Sequence, residues 1–198
     1  MFDDKRFWLK SLIIVGIVIV AAVAFAVFAG GGSSWFSQET HVPPVEPENA
    51  DWKSFQSPEY QYSFLYPSVL VGGTQIISSG SPTLESVAFQ TVPSVVNRLA
   101  ILSSVEKFPN EIKDGLSVAV LQYEQGLKGA NIQFTEEATS HISRDGVDVL
   151  EKHYYMMGSS AVTRFAIRNQ KLYIFSVLRP SDEAGAAIEK KILDSFHF

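Results

Sequence analysis

Three histidines, His141, His153 and His197, are the side chains between residues 52 and 198 best suited to proton transfer or metal binding. A shared zinc would need two of them about 2.0–2.1 Å from one ion. If Asp145-Gly146 is a two-residue turn, position 141 pairs with 150 and 138 with 153, and His141 and His153 fall on opposite faces. If the turn holds three residues and a bulge, the two share a face but stand about 13 Å apart. Neither arrangement closes around a metal, so no metal site is expected. A following turn at Gly158-Ser159 would also set His153 against Arg164, a poor neighbour for a cation. His197 alternates with Phe196 and Phe198 and reads as an outward residue between two core anchors.

The carboxylates, serines and glycines nominate no reaction either. Glu136 and Glu137 are adjacent, expected in a loop, and cannot oppose each other across a substrate as an acid–base pair. Asp145 and Asp148 flank a turn without the spacing or closing glutamate of a calcium loop. Gly30-Gly31-Gly32 lacks the Lys-Ser/Thr of a phosphate loop, and no serine sits in a Gly-x-Ser-x-Gly elbow. The chain has no cysteine, hence no thiolate nucleophile, disulfide or lipidated-cysteine anchor. We therefore expect no catalytic, cofactor-binding or metal residues, and a protein that is not an enzyme.

Stepping along the chain, Ser11 to Ala29 is an apolar run without a charge. As a helix it would be about 28 Å long at roughly 1.5 Å per residue, close to the ~30 Å of a bilayer core. Lys5, Arg6 and Lys10 precede it, and the next basic residue is Lys53. The positive-inside rule then places residues 1–10 in the cytoplasm, a single-pass helix at 11–29 in the cell membrane, and the rest outside. A cleaved signal peptide is the alternative, since small residues at 24–29 offer a cleavage site, but the run exceeds the usual apolar region of such peptides. Residues 30–51 form a stalk: Gly30 to Ser34 is flexible by composition, Val42 to Pro47 favours extended polyproline geometry, and Glu39, Glu46, Glu48 and Asp51 make it acidic. The net charge of −5 and the absence of a basic face argue against a nucleic-acid partner.

Residues 52–198 are long enough for one core. Trp52–Ser57 and Tyr60–Tyr66 read as a hairpin, and Leu84–Val92 and Arg98–Val105 alternate as strands. Ile112, Leu116, Val120, Tyr123 and Leu127 fall on one helical stripe, with Asp114 as a cap and Gly126 or Gly129 as a stop. Strands follow at Ala138–Ser143, Val147–Met157, Ala161–Arg168 and Leu172–Leu178, then a helix at Asp182–Leu193. In Leu172–Leu178, Leu172, Ile174 and Leu178 alternate with Tyr173, Phe175 and Val177, so the strand must be covered on both faces. The expected fold class is α+β, an antiparallel β-sheet sandwiched between helices and preceded by one transmembrane helix.

Tyr62-Ser63-Phe64-Leu65-Tyr66-Pro67 resembles the Y-x-F-x-Y-P opening strand of PsbP-like domains, relatives of the PsbP subunit of photosystem II and of Mog-type Ran-binding proteins. The ending Ile192-Leu193-Asp194-Ser195-Phe196 is similar to that family's I-L-x-S-F close. Ser68-Val69-Leu70 departs from the Gly-Trp pair that usually follows Tyr-Pro. The resemblance, over residues 52–198, implies an α/β/α fold and a binding or assembly role. The expected function is a membrane-anchored extracytoplasmic interaction module, an accessory or assembly component of a membrane complex with a membrane or extracytoplasmic protein partner. The alternative is an anchored small-ligand binder or sensor, and a third reading is an anchored hydrolase. Tyr154, Tyr155, Met156 and Met157 end a strand with bulk on both faces and are the expected partner contact.

Overall fold

A computed structural model of the protein describes residues 51–76, 83–91, 99–108, 114–156 and 158–198. The expected cytoplasmic tail, membrane span and most of the stalk lie outside the described residues. Among the described residues no helix is long and apolar enough to cross a membrane.

The strands run β1 (Trp52–Gln56), β2 (Ser63–Pro67), β3 (Val71–Ile76), β4 (Thr83–Gln90) and β5 (Ala100–Lys107). Helix α1 (Gly115–Gly129) follows, then β6 (Phe134–Arg144), β7 (Val147–Met156), β8 (Ser159–Arg168), β9 (Lys171–Arg179) and helix α2 (Glu183–Asp194). Seven strands make one antiparallel sheet in the order β3-β4-β5-β9-β8-β7-β6. β1 and β2 pair as the sequence predicts, but as a separate two-stranded ribbon. β3 was not expected: its Gly72-Gly73 pair hides the strand pattern. A Cβ at Gly72 would lie 1.9 Å from the Ala88 carbonyl oxygen, so the close approach to β4 admits only glycine.

β9 sits in the middle of the sheet and is buried on both faces. Leu172, Ile174 and Leu178 face one core with Ala119, Val120, Tyr123 and Leu127 of α1. Tyr173, Phe175 and Val177 face the other, closed by the β1–β2 ribbon, α2 and the C-terminal residues. That second core is rich in aromatic rings. Phe175 stacks on Phe196 at 4.4 Å and meets Phe64 at 5.0 Å between ring centroids, while Tyr173 meets Phe198 edge-on at 5.3 Å. The two segments that carry the family resemblance thus converge on one strand. Ser63 and His197 exchange backbone hydrogen bonds of 2.9 Å, tying β2 to the chain end.

The helices end as their sequences suggest, with one difference. The Asp182 carboxylate accepts from the Gly185 N–H at 2.6 Å and caps α2. Asp114 occupies the corresponding position of α1 but holds a left-handed backbone at φ 53°, and its side chain makes no capping bond. At the far end of α2, Arg144 and Arg164 both donate to the Leu193 carbonyl, placing two guanidinium charges at the negative end of the helix.

Two carboxylates are buried beside β4 and β5. Glu85 accepts from the Tyr62 hydroxyl at 2.7 Å and the Ser57 hydroxyl at 3.1 Å, fastening the ribbon to the sheet. Glu106, opposite Thr83 on β4 and Leu172 on β9, is 3% exposed, and its Oε1 has no hydrogen-bond partner. Burial pushes the Glu106 carboxyl from the usual 4.5 up to about 8, with the Ser104 hydroxyl acting the other way.

Two predictions follow from these cores. Phe175→Ala and Ile174→Ala should each destabilise the protein by about 2–5 kcal/mol in chemical denaturation, one from each side of β9. Because the folded protein holds the Glu106 proton more tightly than the unfolded chain, its contribution to stability is intact below pH 4.5 and is lost as pH rises through about 8. Glu106→Gln should therefore flatten that decline, and denaturation midpoints across pH 5–9 would show it. An unchanged pH profile would mean that Glu106 is solvated.

Candidate functional site

The end of β7 places the expected contact residues by simple alternation. Tyr154 and Met156 are 0% and 1% exposed and point under α1. The Tyr154 hydroxyl donates to Glu124 at 3.1 Å, and its ring packs on Tyr123 and Phe134. Burial holds the Tyr154 phenol protonated well above the usual range. These two residues are core, because α1 reaches far enough to cover their face. Tyr155, on the opposite face, is 44% exposed. Met157 lies outside the described residues. Among the described residues the contact expectation thus narrows to Tyr155.

Beside Tyr155 is an open groove of about 910 Å³ whose lining includes Lys128, Asn131, Gln133, Phe134, Thr135 and Tyr155. It exists because α1 stops at Gly129 and the chain must turn before β6 begins. Asn131 takes a left-handed backbone at φ 59°, and buried Ile132 pins the loop by an N–H bond to Leu127. Lys128 lies 5.6 Å above the Phe134 ring centroid. The groove therefore offers one ammonium, side-chain amides, a hydroxyl and the exposed Tyr155 ring, a recognition set. Its loop residues carried no signal in the sequence beyond the helix stop at Gly129.

Glu136 and Glu137 are not in a loop. They fall in β6, where the register with β7 shifts between Glu136 and Ala138. Lys152 reaches Glu136 at 2.6 Å and Glu124 at 3.6 Å across the α1 side of the sheet. The hydrogen bonds from Lys152 and then Thr139 lower the Glu136 carboxyl.

The histidines stay apart. His141 pairs with Leu150 and His153 with Ala138, so the Asp145-Gly146 turn is the two-residue form and the two rings lie on opposite faces. The next turn comes one residue earlier than the expected Gly158-Ser159: Met156 pairs with Ser159, which sets His153 opposite Val162 and Arg164 opposite Glu151. Each ring meets a carboxylate instead: His141 with Asp148 at 3.4 Å, His153 with Glu151 at 3.0 Å, and His197 with Asp145 at 3.2 Å. Among the described residues no three His, Cys, Asp or Glu side chains are grouped to hold a metal. Sequence reasoning assigned Asp145 to turn chemistry alone. Its carboxylate also accepts the Phe198 N–H at 3.0 Å, the main cause of its lowered pKa, and so anchors the chain end.

No family model and no curated protein matches the sequence. Solved structures do resemble the chain. The solution structure of cyanobacterial PsbP (CyanoP) from Synechocystis sp. PCC 6803 aligns with a TM-score of 0.58 at 14% identity, over 84% of this chain and 97% of that one. The Ran-binding protein Mog1p of Saccharomyces cerevisiae aligns with a TM-score of 0.48 at 10% identity, over 75% of this chain and 95% of that one. With its antiparallel sheet between helices, the chain has a PsbP-like α+β fold.

Proposed function

We propose that this chain is a membrane-anchored extracytoplasmic interaction module, an accessory or assembly component that holds a neighbouring protein. The observation that carries the reading is the Tyr155 ring, exposed at the rim of an open groove. Half-exposed tyrosines are favoured at contacts because they add area at small entropic cost. The apolar run at 11–29, basic residues on one side of it and the acidic stalk on the other support a single-pass anchor with residues 52–198 outside the cell. Such a tether raises the effective concentration of a membrane partner, so a weak contact suffices. We read the site as one of binding, not catalysis. A second reading, a small-ligand binder, is favoured by the groove's size, which exceeds the ~300 Å³ at which ligand pockets begin.

Affinity purification of the full chain from detergent-solubilised membranes should recover a stoichiometric partner. Tyr155→Lys should abolish that recovery while leaving the melting temperature within about 2 °C, as expected of an exposed site. Protease added to intact spheroplasts should release a fragment near residues 50–198. Unfolding of the Tyr155→Lys variant, recovery unaffected by it, or turnover of an ester, peptide or glycoside panel would each contradict the proposal.

A further inference from the structure

β6 is an edge strand of 11 residues, and the residues from Thr135 to His141 are exposed. Among the described residues nothing pairs with its outer side. A free edge presents unpaired N–H and C=O groups to any strand that can match it, and proteins usually blunt such edges with charge or bulges. β6 is blunted only at its ends. Glu136, Glu137 and the register shift guard its start, and Arg144 its finish. Between Glu137 and Arg144 the residues are Ala138, Thr139, Ser140, His141, Ile142 and Ser143, with no carboxylate, lysine or arginine.

We propose that the middle of β6 is a self-pairing surface, on which a second copy of this chain adds its own β6 antiparallel about a two-fold axis at Ser140. The register follows from the side chains. Directly opposed residues must share a sheet face. On the ribbon side lie Ala138, Ser140 and Ile142, and on the α1 side Thr139 and His141, as their pairing with His153, Glu151, Val149, Lys152 and Leu150 fixes. Centring on Ser140 sets Ala138 against Ile142 and Thr139 against His141, apolar with apolar and polar with polar. It also carries the acidic start of each strand toward the Arg144 end of the other. Glu137, which has no partner among the described residues, is thereby carried away from Glu137 of the other copy. A parallel alignment would instead stack Glu137 on Glu137, and centring one position on would set His141 against His141. A joint of so few residues is weak between freely diffusing molecules. The anchor proposed above would concentrate copies in one plane and favour it, but the pairing rests on the strand and not on the anchor.

The absence of any native cysteine gives a direct test. In the proposed register the two Ser140 Cα atoms would be about 4.5–5.5 Å apart, within the range a disulfide spans. Full-length Ser140→Cys, oxidised mildly in membranes, should form a disulfide-linked dimer on the order of a hundredfold faster than Ser117→Cys, an exposed control on α1. Adding Ala138→Lys to Ser140→Cys should abolish the fast linkage by charging the edge, with the melting temperature confirming that the fold survives. Equal rates for the two single-cysteine variants, or linkage undiminished by Ala138→Lys, would overturn the pairing. Fractionation of the same samples separates this outcome from failure of the anchor: a chain recovered outside the membrane would remove the tether, while the contrast in linkage rate would still decide the pairing.

Discussion

β9 carries large apolar side chains on both faces, and neither face can be left in water. Burying one such side chain is worth roughly 1.5–3 kcal/mol, so the strand must sit centrally and each side must be roofed. Helix α1 roofs one side with Ala119, Val120, Tyr123 and Leu127. The other side draws together parts of the chain far apart in sequence: the β1–β2 ribbon, α2 and Phe196. The Leu193 carbonyl with its two arginines, the Ser63–His197 bridge and the Asp145 carboxylate at the Phe198 N–H hold that second roof in place. Each is a polar device at the rim of an aromatic core.

The proposed contact surface is what this arrangement leaves over. The sheet is seven strands wide, while two helices and a short ribbon cover chiefly its middle, so β6 emerges polar on both sides. Tyr155 is exposed there because its face lies beyond α2 and the ribbon, whereas Tyr154, one residue earlier, is sealed beneath α1. The edge and the groove adjoin, since Phe134 and Thr135 both open β6 and line the groove. Pairing along the edge and docking in the groove would therefore use neighbouring parts of one rim.

Much of the fold was legible because periodicity reports burial. The double alternation of Leu172 to Leu178, the stripe through α1 and the Asp145-Gly146 turn each pointed to the observed element, and of the two β6–β7 registers that turn left open the two-residue one is found. What stayed hidden depended on distant parts of the chain. Nothing local distinguishes a hairpin within a sheet from the separate β1–β2 ribbon. Gly72 reads as a strand breaker until the Ala88 carbonyl is seen against it. Glu136 and Glu137 looked like a loop because a strand exposed on both faces has no alternation to detect. Tyr154, Tyr155 and Met156 were legible as a bulky strand end, but which face is open depends on how far α1 reaches.

The central claim is that the Tyr155 rim meets another protein in the living cell. Site-specific photo-crosslinking measures this most directly, with a photoreactive phenylalanine analogue at position 155 and, as a control, at Leu121, an exposed apolar residue of α1. The account predicts one discrete protein adduct from position 155 on irradiation of intact cells and none from position 121. No adduct from position 155, or the same adducts from both positions, would contradict it.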